Sequence, residues 1–281
     1  MKKKIRKLGA FLPTKAVLYL DYARSYKKIL NLKNPKYVGE KIQWIKLNGK
    51  LKNYWKYVDK YEVREFVEKT IGSEYLPKLY GVYNNPNEID FDKLPNQFVL
   101  KMTNGSGGNI ICRDKSNLDI AETVNKLKKW QKEKFYKYTK EIQYKDVNSR
   151  IICEEYLEDE TGSLRDYKFH CSKSKVHMIE IHTDRFTNHK ENYYDSEWNE
   201  LDVICKLDKV DYIPKPDNLE EMKALAIRLS ENLPYVRVDF YRVNNKIYFG
   251  ELTFTPANGT DPMYPLSEDI KLAKFIDLTE Y

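Results

Sequence analysis

The sequence predicts an α+β fold. Three observations carry that expectation: a strand-rich order of short apolar runs, helical patterns interspersed among them, and neighbouring runs that read as antiparallel hairpins. Residues 1 to 50 are basic and read as helical, with a break at Asn34-Pro35. Within 59 to 71, Val63, Phe66, Val67 and Ile71 recur near helical spacing, and Gly72 closes that helix. LYGVY at 79 to 83 reads as a strand, followed by a loop through NNPNEIDFDKLPN. FVLKM at 98 to 102 and NIICR at 109 to 113 are further strands, joined by TNGSGG. The lysine-rich stretch from 117 to 145 reads as one long helical segment, and Ile151 to Leu157 as a strand running into the polar loop EDETGSL. Asp166 to Cys171 and Val176 to His182 read as a hairpin pair. Residues 183 to 218 read as polar and irregular, 219 to 233 as a helix, and 266 to 281 as a short terminal helix.

The 281 residues leave room for one large domain or two to three small lobes. Hydrophobic residues at 41% suffice for a core. A net charge of +7 favours anionic partners without choosing among nucleotide, acidic glycan, nucleic acid and membrane surface. The lysines are spread along helices rather than gathered with stacking aromatics, which argues against nucleic acid. Cys112, Cys153, Cys171 and Cys205 are widely separated, with no CxxC, and the four histidines show no zinc-ligand spacing. Cys112, Cys153 and Cys171 lie in apolar runs, so buried free thiols are the expectation for these three, and a reducing cytoplasm fits. No apolar stretch approaches the ~20 residues needed to span a membrane. The first twenty residues, MKKKIRKLGAFLPTKAVLYL, are basic and then apolar, but Pro13 and Lys15 argue against a signal peptide. Such a segment offers either a solvated helix face or a basic amphipathic surface for peripheral contact with the inner face of an anionic membrane.

The most informative segment is YVRVDFYRVNNKIYFGELTFTPANG, residues 235 to 259. Two apolar runs, Tyr235 to Val243 and Lys246 to Phe254, flank Asn244-Asn245, a hairpin signal. Alternation puts Arg237 and Asp239 on one face of the first strand, and Glu251 and Thr253 on one face of the second. If those faces align, one wall carries a guanidinium, two carboxylates and a hydroxyl. Two carboxylates so placed repel unless a cation lies between them, and hard oxygen ligands suit Mg²⁺ with substrate phosphates. An edge hairpin with a solvated charged face is the plain alternative.

Lys101-Met-Thr-Asn-Gly-Ser-Gly-Gly-Asn109 connects two strands. Its glycines supply mobile backbone whose N–H groups can approach phosphate oxygens, and Lys101 ends the first strand within reach of them. It is neither a Walker A loop nor a dinucleotide fingerprint, because no GK[ST] follows and it opens no helix. An ordinary glycine-rich turn fits the same residues.

Taken together, NPKYVGEKIQWIKL, VDKYEVREFVEKTIGSEYL, LPNQFVLKMTNGSGG, IICEEYL, LRDYKFHC and the 235–259 hairpin resemble the ATP-grasp enzymes. They are similar in particular to the polysaccharide-associated TupA-like branch, over about Asn34 to Pro265. The resemblance implies an ATP-grasp fold, two α+β lobes holding a nucleotide between them, after a helical N-terminal region. The corresponding divisions are 1–58 (helical and basic), 59–96 (first part of the module), 97–157 (glycine-loop lid) and 158–281 (C-terminal lobe with the metal site).

The resemblance also implies roles. Lys60 and Lys101 would reach the nucleotide phosphates under the lid Gly105, Ser106, Gly107 and Gly108. Glu154, Glu155, Tyr156 and Leu157 would form the adenine hinge, with Glu154 accepting from the amino group. Lys168 would face the triphosphate, Asp239, Glu251 and Thr253 would hold Mg²⁺, and Arg237 would steady the oxyanion of a tetrahedral intermediate. Thr253 stands where many ATP-grasp enzymes have Asn, and Asn104 where relatives of this branch are expected to have His. ATP and Mg²⁺ are therefore the implied cofactors. The implied reaction is phosphorylation of a carboxylate and attack by an amine, in capsular or cell-wall polysaccharide assembly. An anionic sugar acceptor is the implied partner. Arg185 is the candidate clamp for its carboxylate, with Tyr193 and Trp198 as stacking residues. The alternatives are a phosphotransferase on the same fold, a glycosyltransferase-associated enzyme, and a non-catalytic nucleotide- or glycan-binding adaptor.

Overall fold

Two antiparallel sheets organise the chain in the computed structural model, which describes residues 9–159, 164–185 and 187–281. The first contains β1 (Leu79–Tyr83), β2 (Phe98–Met102), β3 (Asn109–Cys112) and β4 (Ile151–Glu155) in the order β1-β4-β2-β3. The second contains β5 (Asp166–Ser172), β6 (Lys175–Thr183), β7 (Lys190–Tyr194), β8 (Val236–Val243) and β9 (Lys246–Thr253) in the order β7-β6-β5-β8-β9. The helices are α1 (Thr14–Tyr26), α2 (Val38–Asn48), α3 (Trp55–Val58), α4 (Val63–Thr70), α5 (Ile120–Gln131), α6 (Phe135–Thr139), α7 (Leu219–Ser230) and α8 (Leu266–Ala273). The α+β expectation holds, and the three hairpins fall where alternation and turn residues placed them.

Each sheet has its own core. Phe98, Leu100 and Met102 alternate inward from β2 and cluster with Leu127 of α5 and with Ile151 and Cys153 of β4. On the second sheet, Tyr167, Phe169 and Cys171 of β5 cluster with Leu219, Met222, Ala226 and Leu229 of α7. Ile42 and Ile45 of α2, and Val63 and Val67 of α4, belong to that same core although they precede the first sheet in sequence. Burying each such side chain contributes roughly 1.5–3 kcal/mol. Helices α2 and α4 are therefore packed onto the C-terminal sheet, whereas Leu18, Tyr22 and Tyr26 of α1 form a small cluster of their own with Leu30. Asp269 of α8 fastens α1 and α2: its carboxylate accepts from Tyr26 Oη at 2.9 Å and from the backbone N–H groups of Val38 at 2.6 Å and Met263 at 3.1 Å.

Two expectations are corrected. The 117–145 stretch is not one helix: Asp119 caps α5 by accepting from the Glu122 N–H at 2.8 Å, and α6 ends at Lys140, which is left-handed with φ 60°. Lysine-rich composition has helix propensity throughout and gives no sign of where the chain must turn back toward β4. The 183–218 stretch is not wholly irregular, because it contains β7. That strand is polar, and it forms because β6 offers an edge and because Asn192 exchanges hydrogen bonds with Val210 at 2.9 and 3.1 Å. The terminal segment is α8 followed by a single 3₁₀ turn, Leu278–Glu280. Residues 1–8 of the basic N-terminus and 160–163 of the EDETGSL loop lie outside the described residues. Among the described residues, no helix is long and apolar enough to cross a membrane. Cys112, Cys153 and Cys171 are buried free thiols as expected, and Cys205 is half-buried and free.

Candidate functional site

Strand register gathers the polar residues of the second sheet. Lys168 on β5 pairs with Glu180 on β6 and with Asp239 on β8, and Asp239 pairs in turn with Glu251 on β9. Arg237 pairs with His170 and with Thr253, and Asp166 with His182 and Tyr241. Directly paired residues share a face, so one surface of the sheet carries all of these groups while the opposite surface faces α7. The β8–β9 register is set by Asn244 and Asn245, whose φ values of 49° and 64° suit a two-residue hairpin turn. The register shifts by one residue beside Asp239, at Gly250.

Charge on this face is closely balanced. Lys168 Nζ lies 2.7 Å from Asp239 Oδ2 and 3.9 Å from Asp166 Oδ2. Arg237 grips Asp239 as a fork, with Nε and Nη2 each 2.8 Å from a carboxylate oxygen. Its Nη1 is 3.7 Å from Glu180 and its Nη2 is 3.8 Å from Glu251. Burial by itself would raise the Asp239 carboxyl, but Arg237 and Lys168 outweigh it and hold the group below the ordinary aspartate range. Burial likewise opposes the Arg237 charge, and Asp239, Glu180 and Glu251 keep it firmly protonated.

The glycine loop, which joins β2 to β3, is linked to this face through Lys60, whose ammonium lies within electrostatic reach of Glu251. Gly105 and Gly107 have φ values of +106° and +80°, which glycine alone adopts without strain. The loop is tied down by Met102 N–H to Gly108 O at 2.8 Å and Thr103 N–H to Arg150 O at 3.0 Å. Lys60 Nζ donates to Gly105 O at 2.7 Å. Ser106 and Gly107 are exposed. Burial pulls the Lys60 ammonium below its ordinary value, against the attraction of Glu251. The Asn104 amide reaches the Glu133 carbonyl at 3.5 Å.

Between the sheets runs a cleft of about 730 Å³, counting space open to solvent. Val99, Ile111, Leu157 and Tyr241 form its apolar walls, and Lys101 and Arg185 reach into it. Glu155 and Tyr156 line it as well. The Glu155 N–H is taken by Lys78 O at 2.9 Å. The Glu154 carboxylate is engaged elsewhere: Arg64 Nη1 lies 2.6 Å from Oε1 and Lys101 Nζ 2.7 Å from Oε2. Arg185 meets Asp166 at 2.9 Å in the same cleft as Glu155 and Leu157. Tyr193 is buried and Trp198 stacks on Tyr194 with centroids 4.4 Å apart, so both serve packing rather than an open sugar platform.

Glu251 fits a hard cation. Its side chain is 43% exposed, and its described partners are Thr253 Oγ1 at 3.4 Å and the more distant Arg237. Asp239 stands beside it with both oxygens accepting from cationic donors. Glu251 and Asp239 are the carboxylates on this face that could hold Mg²⁺.

Sequence reasoning missed three groups. Arg64 and Arg150 join the 59–64 segment to the first sheet. Arg150 Nη2 lies 3.0 Å from Asp59 and 2.7 Å from Glu62 and its guanidinium stacks over Tyr61 at 4.6 Å. The histidines also show a spacing invisible in one dimension, since register sets His182 against Glu191 and two residues along from Glu180. No linear motif signals any of these pairs.

A family model described as TupA-like ATPgrasp matches residues 40–277. No curated protein matches the chain. Among solved structures, the D-alanine–D-alanine ligase of Bacillus anthracis complexed with ATP is 15% identical with a TM-score of 0.46, over 92% of this chain and 80% of that one. The D-alanine–D-alanine ligase of Helicobacter pylori is 17% identical with a TM-score of 0.44, over 79% and 61%. The ATP-grasp ligase PsnB, complexed with a phosphomimetic variant of its minimal precursor, Mg and ADP, is 12% identical with a TM-score of 0.45, over 85% and 66%. The chain thus spans no more than about two thirds of the length of the last two.

Proposed function

Because the chain belongs to the TupA-like ATP-grasp family, we propose that it is an ATP- and Mg²⁺-dependent ligase that joins an amine to a carboxylate through an acyl phosphate. The observation that supports this most is the single sheet face holding Lys168, Arg237, Asp239 and Glu251, together with a glycine loop flanked by Lys60 and Lys101. Phosphoryl transfer asks a protein for positioning and charge neutralisation rather than a nucleophile, and this face is rich in both.

In this reading the adenine lies against Val99, Ile111 and Leu157, with the Glu155 carbonyl and Leu157 backbone at its edge. Lys60, Lys101 and the loop N–H groups hold the phosphates, and Lys168 faces the γ-phosphoryl group. Mg²⁺ at Glu251 and Asp239 would neutralise charge on the phosphate oxygens. The acceptor carboxylate takes the γ-phosphoryl group and ADP leaves. The amine nitrogen then attacks the acyl carbon, phosphate departs with the bonding electrons, and the nitrogen loses a proton. Arg237, held rigid by its fork on Asp239, presents its remaining N–H to the oxyanion. The acceptor is an anionic sugar of the uronic acid class in capsular or cell-wall polysaccharide, handled in the cytoplasm at the inner membrane face. Arg185 beside Asp166 is the group that would bind its carboxylate.

The test is ATP·Mg²⁺ binding by calorimetry to the wild type, Lys101→Ala and Glu251→Gln, followed by phosphate release with uronates and amines. Binding at least tenfold weaker in both variants, with phosphate released only when carboxylate and amine are both present, is the expected result. Turnover with carboxylate alone would point to a phosphotransferase, and absence of nucleotide binding would remove the ligase reading.

A further inference from the structure

On the same sheet, toward its β6–β7 edge, three ligating side chains converge. Glu180 and His182 lie two residues apart on β6 and so share a face, and Glu191 on β7 is the direct cross-strand partner of His182. One ligand atom from each lies within 4.8 Å of the other two. Their relative exposures are 8%, 8% and 5%, so all three are withdrawn from solvent.

The charges there are unevenly matched. Glu180 has cationic company in Arg237 at 3.7 Å. Among the described residues, the Glu191 carboxylate accepts only from the backbone N–H groups of Lys206 at 2.8 Å and Leu207 at 3.1 Å, and has no ion pair. A buried carboxylate is ordinarily paired with a cation or bound to a metal. The histidine is oriented as a ligand requires. Its Nε2 meets Glu180 Oε1 in a very short hydrogen bond, and its Nδ1 lies 2.6 Å from His189 Nε2. A metal-bound imidazole keeps its other nitrogen in a hydrogen bond of this kind.

We propose that Glu180, His182 and Glu191 form a second metal site, for a zinc-class divalent cation, separate from the nucleotide-dependent Mg²⁺ position. One imidazole nitrogen with two carboxylates suits zinc better than magnesium, which favours an all-oxygen shell. Zinc takes the place of the His182 Nε2 proton. Nδ1 then carries the ring proton and donates it to His189 Nε2. The ion staples β6 to β7 and fixes Glu180, whose second oxygen meets His170 Nε2 at 3.1 Å and faces Arg237. The site thereby positions the arginine from behind, and it fills without nucleotide.

The experiment uses the full chain stripped with chelator, free of nucleotide and magnesium, and dialysed against Zn²⁺. Bound metal is counted by mass spectrometry, and Co²⁺ serves as the spectroscopic probe. Wild type and Glu251→Gln should each bind one equivalent and gain thermal stability with it. His182→Ala and Glu191→Gln should bind at least tenfold more weakly and gain none. Glu191→Gln keeps the shape of the side chain and carries the test should His182→Ala fail to fold. Absence of zinc uptake by folded wild type, or uptake unchanged in Glu191→Gln, overturns the proposal. Uptake lost in Glu251→Gln would also overturn it, by merging the two sites.

Discussion

Lys60 and Gly105, 45 positions apart, meet where the lysine ammonium donates to the glycine carbonyl at 2.7 Å. A carbonyl, not an N–H, thus faces the cation, and a phosphate entering the cleft would compete with it. Lys60→Ala should free the loop as well as remove a phosphate contact. The expected result is faster hydrogen exchange across Thr103 to Gly108 in the empty protein and ATP·Mg²⁺ binding at least tenfold weaker by calorimetry.

The two left-handed glycines should differ. A Cβ at Gly105 would lie 2.7 Å from the Phe135 ring, whereas one at Gly107 would meet nothing within 4 Å. Both backbones are strained for alanine at about 1–2 kcal/mol, and only Gly105→Ala adds a clash with a packed aromatic. Gly105→Ala should lower the melting temperature more than Gly107→Ala, and urea midpoints of the two variants check the order.

Asp269 accepts from one hydroxyl and two backbone N–H groups while fully buried. Asp269→Ala leaves those donors unsatisfied and unfastens α1 and α2 from α8, at a cost of about 3 kcal/mol or more. Denaturant unfolding should show a lower midpoint at an unchanged slope.

His177 stacks on Phe275 with ring centroids 3.8 Å apart, and its Nε2 lies 2.9 Å from Ser172 Oγ. Burial is the main cause that pulls its pKa below the ordinary histidine value. The unfolded chain therefore binds the proton more readily than the folded one. That contribution to stability is complete above the unfolded value of about 6.5 and is lost as pH falls toward the folded pKa. Urea midpoints between pH 5 and 7 should rise with pH, and His177→Gln should flatten the rise.

What could be read in advance was local. The β8–β9 hairpin is encoded by alternation and by two asparagines that tolerate positive φ, so Arg237, Asp239, Glu251 and Thr253 could be placed on one face before any coordinates. The glycine loop announces itself for the same reason. Glu154 was legible as a strand-end acid but not as the shared partner of Arg64 and Lys101, because those contacts join segments 90 and 53 residues apart. The packing of α2 onto the C-terminal sheet is equally non-local. The Glu180–His182–Glu191 cluster depends on β7, a polar strand whose existence rests on the edge it joins rather than on its own composition.

The segment carrying Asp59, Lys60, Glu62 and Arg64 touches the first sheet through Arg150, Gly105 and Glu154, and each of these contacts is ionic or polar. Apolar joints tighten in salting-out conditions, whereas exposed ion pairs loosen as counterions crowd in and buried ones much less. With Asp59 and Glu154 both buried, this joint is a polar one that added salt loosens only weakly.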